Sequence, residues 1–309
     1  MKKVQVLMSV YNGGERIYRQ VNSILNQIGV NTFLIIRDDG SDQETINILK
    51  DIDNRYGENV RVIYGTNIGY KKSFLSLISS RDTADYYAFS DQDDLWEEDK
   101  LLNAVEMLDK SKNKIKLYTS SIGIYSENLV KMRISDISKV PNNIESLFTR
   151  TRFAGCTFVF SSELADITTG YESLDYKDNE MPDHDFLVAS FAYTYGKVIV
   201  DFKSHIKHIR YDNSVTSGGN GIKKRLQVEL YNTFKKKNIR FHMAQILLNF
   251  HDSNDSYSMS EGTFAYLNSV VEYRQKISDR INFILNQKID CGNSLCNLET
   301  KLKIMLGKY

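Results

Sequence analysis

The stretch "YYAFSDQDDLWEED" (residues 86–99) decides the reading of this chain. An apolar run, Tyr86 to Phe89, breaks off at Ser90. Asp91, Gln92, Asp93 and Asp94 follow at once, with Glu97, Glu98 and Asp99 just behind. A short unbroken apolar run is the pattern of a strand buried on both faces. Carboxylates at its carboxyl end are then held in place by the core itself.

Working outward, the same grammar precedes it three times. "VQVLMSV" (4–10) runs into the turn Tyr11-Asn12-Gly13-Gly14, and Ile17, Val21, Ile24, Leu25 and Ile28 then recur at helical spacing. "FLIIR" (33–37) ends in Asp38-Asp39-Gly40-Ser41; Asp42 is placed to cap a helix carrying Ile46, Leu49, Ile52 and Tyr56. "VRVIY" (60–64) leads through Gly65, Asn67 and Gly69 to a helix with Phe74, Leu75 and Ile78. Beyond residue 99, Leu101, Leu102, Val105 and Leu108 predict a fourth helix, with Trp96 as its apolar anchor. Four strand–helix repeats predict an α/β fold with a mainly parallel sheet flanked by helices.

After residue 110 the pattern is mixed. "IKLYTSSIGIY" (115–125), "FAGCTFVFS" (153–161) and "KVIVDF" (197–202) read as strands, and 183–195 as a helix. From 222 the spacing is helical, over 222–250 and 262–287, with basic faces. The best break is Ser217-Gly218-Gly219-Asn220-Gly221, which divides the chain into an α/β domain, 1–220, and a helical C-terminal region, 221–309.

The 309 residues carry 41% apolar and 26% charged side chains, and the net charge is +1. These are values of an ordinary globular protein, with no bias toward nucleic acid. Cys156, Cys291 and Cys296 form neither a disulfide framework nor a zinc spacing. No stretch approaches the ~20 apolar residues of a transmembrane helix, and Gln5, Ser9 and Asn12 interrupt the N-terminal run as no signal peptide would. A cytoplasmic protein is expected. Basic helices at the C-terminus suit either a peripheral contact with the inner face of the plasma membrane or a homodimer.

In such a sheet, ligands bind beyond the carboxyl ends of the strands. Four polar clusters fall there: Ser9–Asn12, Asp38–Ser41, Asn67–Lys72 and Ser90–Asp94. Asp91 and Asp93, one residue apart, can reach a common point, and hard cations such as Mn²⁺ or Mg²⁺ prefer such oxygens. Without a cation the carboxylates repel. Asp94 with Glu97 resembles a capping box for the next helix. Asp38 and Asp39 suit an Asx turn, or a contact to the N3–H of a pyrimidine. Lys71 and Lys72 are solvated helix residues or phosphate contacts.

Taken in order, "VLMSVYNGGERIYRQVNSILNQ", "IIRDDGSDQET", "NIGYKKSF" and "FSDQDDLW" resemble glycosyltransferase family 2 over residues 1–215, most closely its bacterial rhamnosyltransferase branch. The resemblance implies a GT-A fold and an inverting, metal-dependent transfer from a nucleotide diphosphate sugar. The donor is rhamnose from dTDP-rhamnose, or else UDP-galactose or UDP-N-acetylglucosamine. The acceptor is a saccharide or lipid-linked acceptor of surface polysaccharide synthesis. It implies donor contacts at Ser9, Tyr11, Asn12, Asp39, Lys72, Asp91 and Gln92, and metal contacts at Asp91 and Asp93. The family's catalytic base falls on Asp185 in "MPDHDFLVA" (181–189), with Asp183 as a helix cap and His184 a packed neighbour.

One departure stands out. Tyr211 occupies the position where the family carries a histidine beside the metal diphosphate. His208 or Arg210 would take over that contact, and 212–221 would form a closing loop. Cys156 sits in an apolar run and reads as an inert buried thiol. Two other classes compete: a sugar nucleotidyltransferase and a non-catalytic sugar-binding module. The first loop, "SVYNGGER", lacks a complete triphosphate signature, and a binding module would need no base.

Overall fold

The computed structural model describes residues 1–177, 180–210 and 239–309, with the side chain of residue 286 excepted. The expected break at Ser217–Gly221, the closing loop 212–221 and Tyr211 lie outside these residues.

The chain forms two compact units. The first comprises Met1–Ile137, Phe153–Ser173 and Gly196–Arg210. The second takes Ser138–Arg152, Leu174–Tyr195 and the chain beyond Arg210.

The first unit is built on one sheet. Its opening elements are β1 (Lys3–Val10), α1 (Arg16–Leu25), β2 (Asn31–Asp38), α2 (Gln43–Tyr56), β3 (Val60–Tyr64), α3 (Tyr70–Ser79) and β4 (Tyr86–Ser90). The four strands are parallel and lie in the order β3-β2-β1-β4. The chain therefore starts in the middle of the sheet and winds outward both ways, which makes β1/β4 the switch point where α/β sheets bind ligands. Asp42 caps α2 as expected, accepting from the Thr45 N–H at 2.9 Å.

Burial explains the unbroken apolar runs. Val4, Val6, Leu7 and Met8 of β1 are all fully buried. Val6, Met8, Ile36 and Ala88 face Ile17, Val21, Ile24, Leu49, Ile52, Leu101 and Val105 in one core. On the other face Phe89 stacks edge-on against Phe74 of α3, ring centres 5.3 Å apart.

The sheet continues through β5 (Leu95–Trp96), α4 (Lys100–Asp109), β6 (Lys116–Ser126), β7 (Lys131–Ser135), β8 (Val159–Ser161), α6 (Ser162–Ile167) and β9 (Lys197–Arg210). Beyond β4 the order is β8-β6-β9-β5, with β7 on β6. β8 is antiparallel to β4, and β5 is antiparallel to β9. The run 153–161 is not one strand: Gly155–Thr157 turn as a 3₁₀ helix and only Val159–Ser161 pair. All of it except the partly buried Ala154 is buried, and an apolar run carries no period that separates strand from turn.

The second unit contains α5 (Ile144–Thr149), α7 (His184–Tyr195), α8 (Ile239–Ser253), α9 (Glu261–Glu272), α10 (Ile277–Asn286) and α11 (Ser294–Met305). The span 262–287 is thus two helices. Aromatic pairs knit the unit: Phe148 with Phe186 (5.0 Å), Phe191 with Phe250 (5.2 Å) and Tyr273 with Tyr309 (5.9 Å).

Candidate active site

The carboxyl ends of β1, β2 and β4 meet and are laced together by side chains. Val10 pairs with Asp38 and Met8 with Ser90, so the strands end nearly level. Gln92 spans β1 and β4 in both directions. Its Oε1 accepts from the Tyr11 N–H (3.0 Å), and its Nε2 donates to the Tyr11 carbonyl (3.1 Å). Gly13 makes room for this clasp, since a Cβ there would lie 2.7 Å from Gln92 Oε1. Asn12, at φ 48°, ties β1 to β2: its N–H donates to Ser41 Oγ (3.0 Å), and its Oδ1 accepts from the Asp42 N–H (2.8 Å). The strain of that left-handed backbone is tolerated best by Gly, Asn or Asp. Tyr11 remains half exposed.

The Asp38 carboxylate accepts from the Ser41 N–H three residues on, at 3.2 Å, one residue beyond the reach of an Asx turn. Asp39 is almost fully buried and heavily engaged. It pairs with Arg37 and accepts from the Ile68 N–H (2.9 Å) and the Gly69 N–H (3.0 Å). Arg37 also donates to Ser73 Oγ (3.1 Å), which lies 2.6 Å from Ser9 Oγ. Ser9, Asp39 and the start of α3 therefore form one hydrogen-bonded group, with Lys72 half buried in the first turn of α3.

Asp91 and Asp93 lie half buried in the turn after β4. Asp93's carboxyl is pushed up from its ordinary value, first by burial and then by the Asp94 charge. His208 and Arg16 act in the opposite direction, and a bound cation would favour the ionised carboxylate further.

Asp94 departs from expectation. It caps no helix: α4 begins at Lys100 and its N-cap residue is Asp99. Asp94 is buried, and its Oδ1 lies 2.7 Å from His208 Nδ1. The cause is long-range. Leu95 pairs with Lys207 and Trp96 with Ile206, so the antiparallel register sets Asp94 opposite His208. Trp96 is buried accordingly, in a strand and not a helix. His208 is pushed up to about 9, chiefly by its hydrogen bond to Asp94, against the opposing effect of burial.

Behind Asp94 lie Lys100, which the sequence did not flag, and Cys156, read there as an inert buried thiol. Lys100 is wholly buried with its Nζ 3.6 Å from the Trp96 ring centre, and burial brings it down to about 7. Cys156 is buried, and its thiol is pushed well up, first by burial and then by Asp94. Asp91, Asp94 and Cys156 offer ligand atoms within 4.8 Å of one another. A protonated thiol beside a buried lysine is a poor donor set for a hard cation. Asp91, Asp93 and His208, all partly accessible, are by donor type better suited to Mn²⁺ or Mg²⁺, but among the described residues their ligand atoms do not form such a three-residue cluster.

Arg210 ends β9, half buried, while Tyr211 lies outside the described residues. Asp185 stands in the second unit, in the first turn of α7, partly exposed; its Oδ1 accepts from the Phe186 N–H at 2.7 Å. His184 beside it is buried.

The glycosyl transferase family 2 model matches residues 5–166. The dTDP-rhamnosyl transferase RfbG of Shigella flexneri is 29% identical over 197 residues, 60% of this chain and 65% of that protein. The match thus spans less than two thirds of RfbG. An Escherichia coli enzyme, the UDP-Glc:alpha-D-GlcNAc-diphosphoundecaprenol beta-1,3-glucosyltransferase WfaP, is 31% identical over 120 residues, 36% of this chain and 43% of its own. Among solved structures, S. aureus TarS 1–349 in complex with UDP-GlcNAc aligns with TM-score 0.53 and 17% identity, covering 99% of this chain and 93% of that one. The complex of the same fragment with UDP gives 0.53 and 14%, covering 99% and 90%. These likenesses bear out the GT-A fold. Since the family model spans more than half of the sequence, including most of β1, β2 to β4 and the Asp91–Asp93 turn, the chain belongs to glycosyltransferase family 2.

Proposed function

We propose that the chain is an inverting, cation-dependent glycosyltransferase of bacterial surface polysaccharide synthesis, with dTDP-rhamnose as its donor. The observation that carries this reading is the acidic turn Asp91–Asp93 after β4, near enough to His208 to act on it electrostatically, beside strand ends laced together by the Tyr11–Gln92 and Asn12–Ser41 bonds. The similarity to RfbG favours rhamnose. The ligands named for TarS make UDP-N-acetylglucosamine the first alternative, with UDP-galactose next.

Asp91 and Asp93 would hold Mn²⁺ or Mg²⁺, with His208 at the same diphosphate. When bound, the cation supplies charge neutralisation for the diphosphate as it leaves. Ser9, Tyr11 and the Asp39 group bind the nucleoside, and Lys72 the phosphates. Asp185 takes the proton of an acceptor hydroxyl; the oxygen bonds to the anomeric carbon as the bond to the diphosphate breaks, and the configuration inverts. The test is a panel of nucleotide sugars read by thermal shift, with and without Mn²⁺. Stabilisation by dTDP-rhamnose that requires the cation is expected. Stabilisation by UDP-N-acetylglucosamine alone would replace the donor, and none by any nucleotide sugar would overturn the reading.

We further propose a peripheral contact between the helical region and an anionic lipid surface. Leu295, Leu298 and Leu302 along α11, and Leu306 just past its end, are 56–79% exposed, and Ile277 and Leu285 are exposed on α10. Exposed Lys276, Lys288 and Lys301 accompany them, the pattern of an interfacial amphipathic helix. Among the described residues no helix is long and apolar enough to cross a membrane. The acceptor named for WfaP is itself lipid-linked. Flotation with phosphatidylglycerol vesicles should be lost in a Leu295→Ser/Leu298→Ser/Leu302→Ser variant. Unchanged flotation, or a change only in oligomeric state, would overturn the lipid assignment.

A further inference from the structure

We infer that Asp94 is a positioning residue for His208: its buried carboxylate holds the Nδ1–H, fixes the ring plane, and leaves Nε2 as the one ring nitrogen that can meet the donor's metal–diphosphate group. The inference rests on the proposed reading of His208 as a diphosphate or metal contact.

Three observations carry it. The first is the bond itself. At 2.7 Å the Oδ1–Nδ1 separation is that of a charge-assisted hydrogen bond. The Asp94 side chain is 0% exposed, whereas His208 is 27% exposed. The Nδ1 edge of the ring therefore faces the interior, and the accessible part is the opposite edge.

The second is the framework. β5 is only two residues long, yet it pairs in register with β9. The Glu97 N–H donates to the His205 carbonyl at 3.0 Å, and Lys207 pairs with Glu97 at 3.1 Å. Trp96, in that strand, is anchored in the core. Both partners are thus held by backbone pairing and packing, and neither has to be ordered by ligand.

The third is the cost of the arrangement. A buried carboxylate that made no useful contact would be costly to retain. Asp94 Oδ2 has no hydrogen-bond partner among the described residues, and neither does the buried Lys100 Nζ. Asp94 and Lys100 interact electrostatically in the interior. Asp94 also meets the Cys156 thiol, a weak donor, and its short charge-assisted bond is the one to His208. Carboxylate–histidine pairs of this kind orient the ring and fix which nitrogen carries the proton. With Nδ1 always protonated, Nε2 either coordinates the metal or, when protonated, donates to a phosphate oxygen.

The experiment compares the full chain with its Asp94→Asn, Asp94→Leu and His208→Ala variants. One readout needs no substrate: nitrogen-correlated proton NMR of the histidine rings in cation-free buffer. The His208 Nδ1–H, identified by its loss in His208→Ala, should be shifted downfield and protected from exchange, and Asp94→Asn should move it upfield. The second readout is calorimetric binding of dTDP and of UDP with Mn²⁺. Replacing groups that orient a ligating histidine typically weakens binding roughly 10–100-fold. Asp94→Leu should fall in that range and Asp94→Asn between it and the parent. Adding Asp94→Leu to His208→Ala should weaken binding no further. If His208→Ala binds weakly while both Asp94 variants bind like the parent, the positioning role is overturned and the reading of His208 stands. If His208→Ala itself binds like the parent, the reading of His208 fails. Should Asp94→Leu not fold, the NMR signal and affinity of Asp94→Asn decide, and a parental result in both overturns the proposal.

Discussion

His208 carries the most specific residue-scale prediction. Its folded value, about 9, lies above its ordinary 6.5. A raised histidine stabilises the fold fully below the unfolded value, and the contribution is lost as pH rises through the folded one. In cation-free buffer the stability gap between the parent and Asp94→Asn should therefore narrow from about pH 6 to about pH 10. Urea unfolding across that range measures it, and a gap that stays constant or widens would contradict the pairing. Asp185 gives a kinetic prediction. If it is the base, Asp185→Asn should lower kcat by roughly 10²–10⁴-fold with the donor dissociation constant unchanged. Retention of most activity would remove it from that role. Cys156 gives a chemical one: its buried thiol should resist alkylation in the native protein while the more accessible Cys296 reacts. Mass spectrometry of labelled peptides reads the order, and equal rates would contradict the buried placement.

At the scale of elements, the strand ends depend on a few close approaches. Gly13→Ala places a Cβ 2.7 Å from Gln92 Oε1 and 2.8 Å from Ile17 Cγ1. Overpacking of this kind costs about 1–3 kcal/mol, and here it also opens the Tyr11–Gln92 clasp, so nucleotide affinity should fall with stability. Asp42→Ala removes only the cap of α2, about 1 kcal/mol, and should leave affinity untouched. Denaturant unfolding beside calorimetry separates the two; equal effects on affinity would refute the distinction. The four strand–helix repeats were legible in the sequence because each is local: a buried run, a turn, a helical stripe. The same holds for the Asp42 cap and for a turn after Asp38, whose carboxylate accepts from Ser41. Asp94 was misread because its local pattern, an acid three residues before Glu97, mimics a capping box, while its true partner lies 114 residues away. Arg37 left a usable clue, since a charged residue inside the run "FLIIR" needs a buried partner, and Asp39 is that partner.

At the scale of the whole molecule, the family and the fold were readable from four motifs in order. The interleaving of the two units was not: Ser138–Arg152 and Leu174–Tyr195 belong with the C-terminal helices, and no composition shift marks their edges. That places Asp185 and the Asp91–Asp93 turn in different units, each of which is held by its own core. The central claim is that the first unit's strand ends bind a nucleoside diphosphate through a cation held by Asp91 and Asp93. The measurement that tests it most directly is calorimetric titration of dTDP and UDP into the full chain, with Mn²⁺ and with EDTA, in the parent and in Asp91→Asn/Asp93→Asn. The account predicts binding that Mn²⁺ enables in the parent and no longer enables in the double variant. Binding of equal strength in EDTA, or a double variant that responds to Mn²⁺ as the parent does, would contradict it.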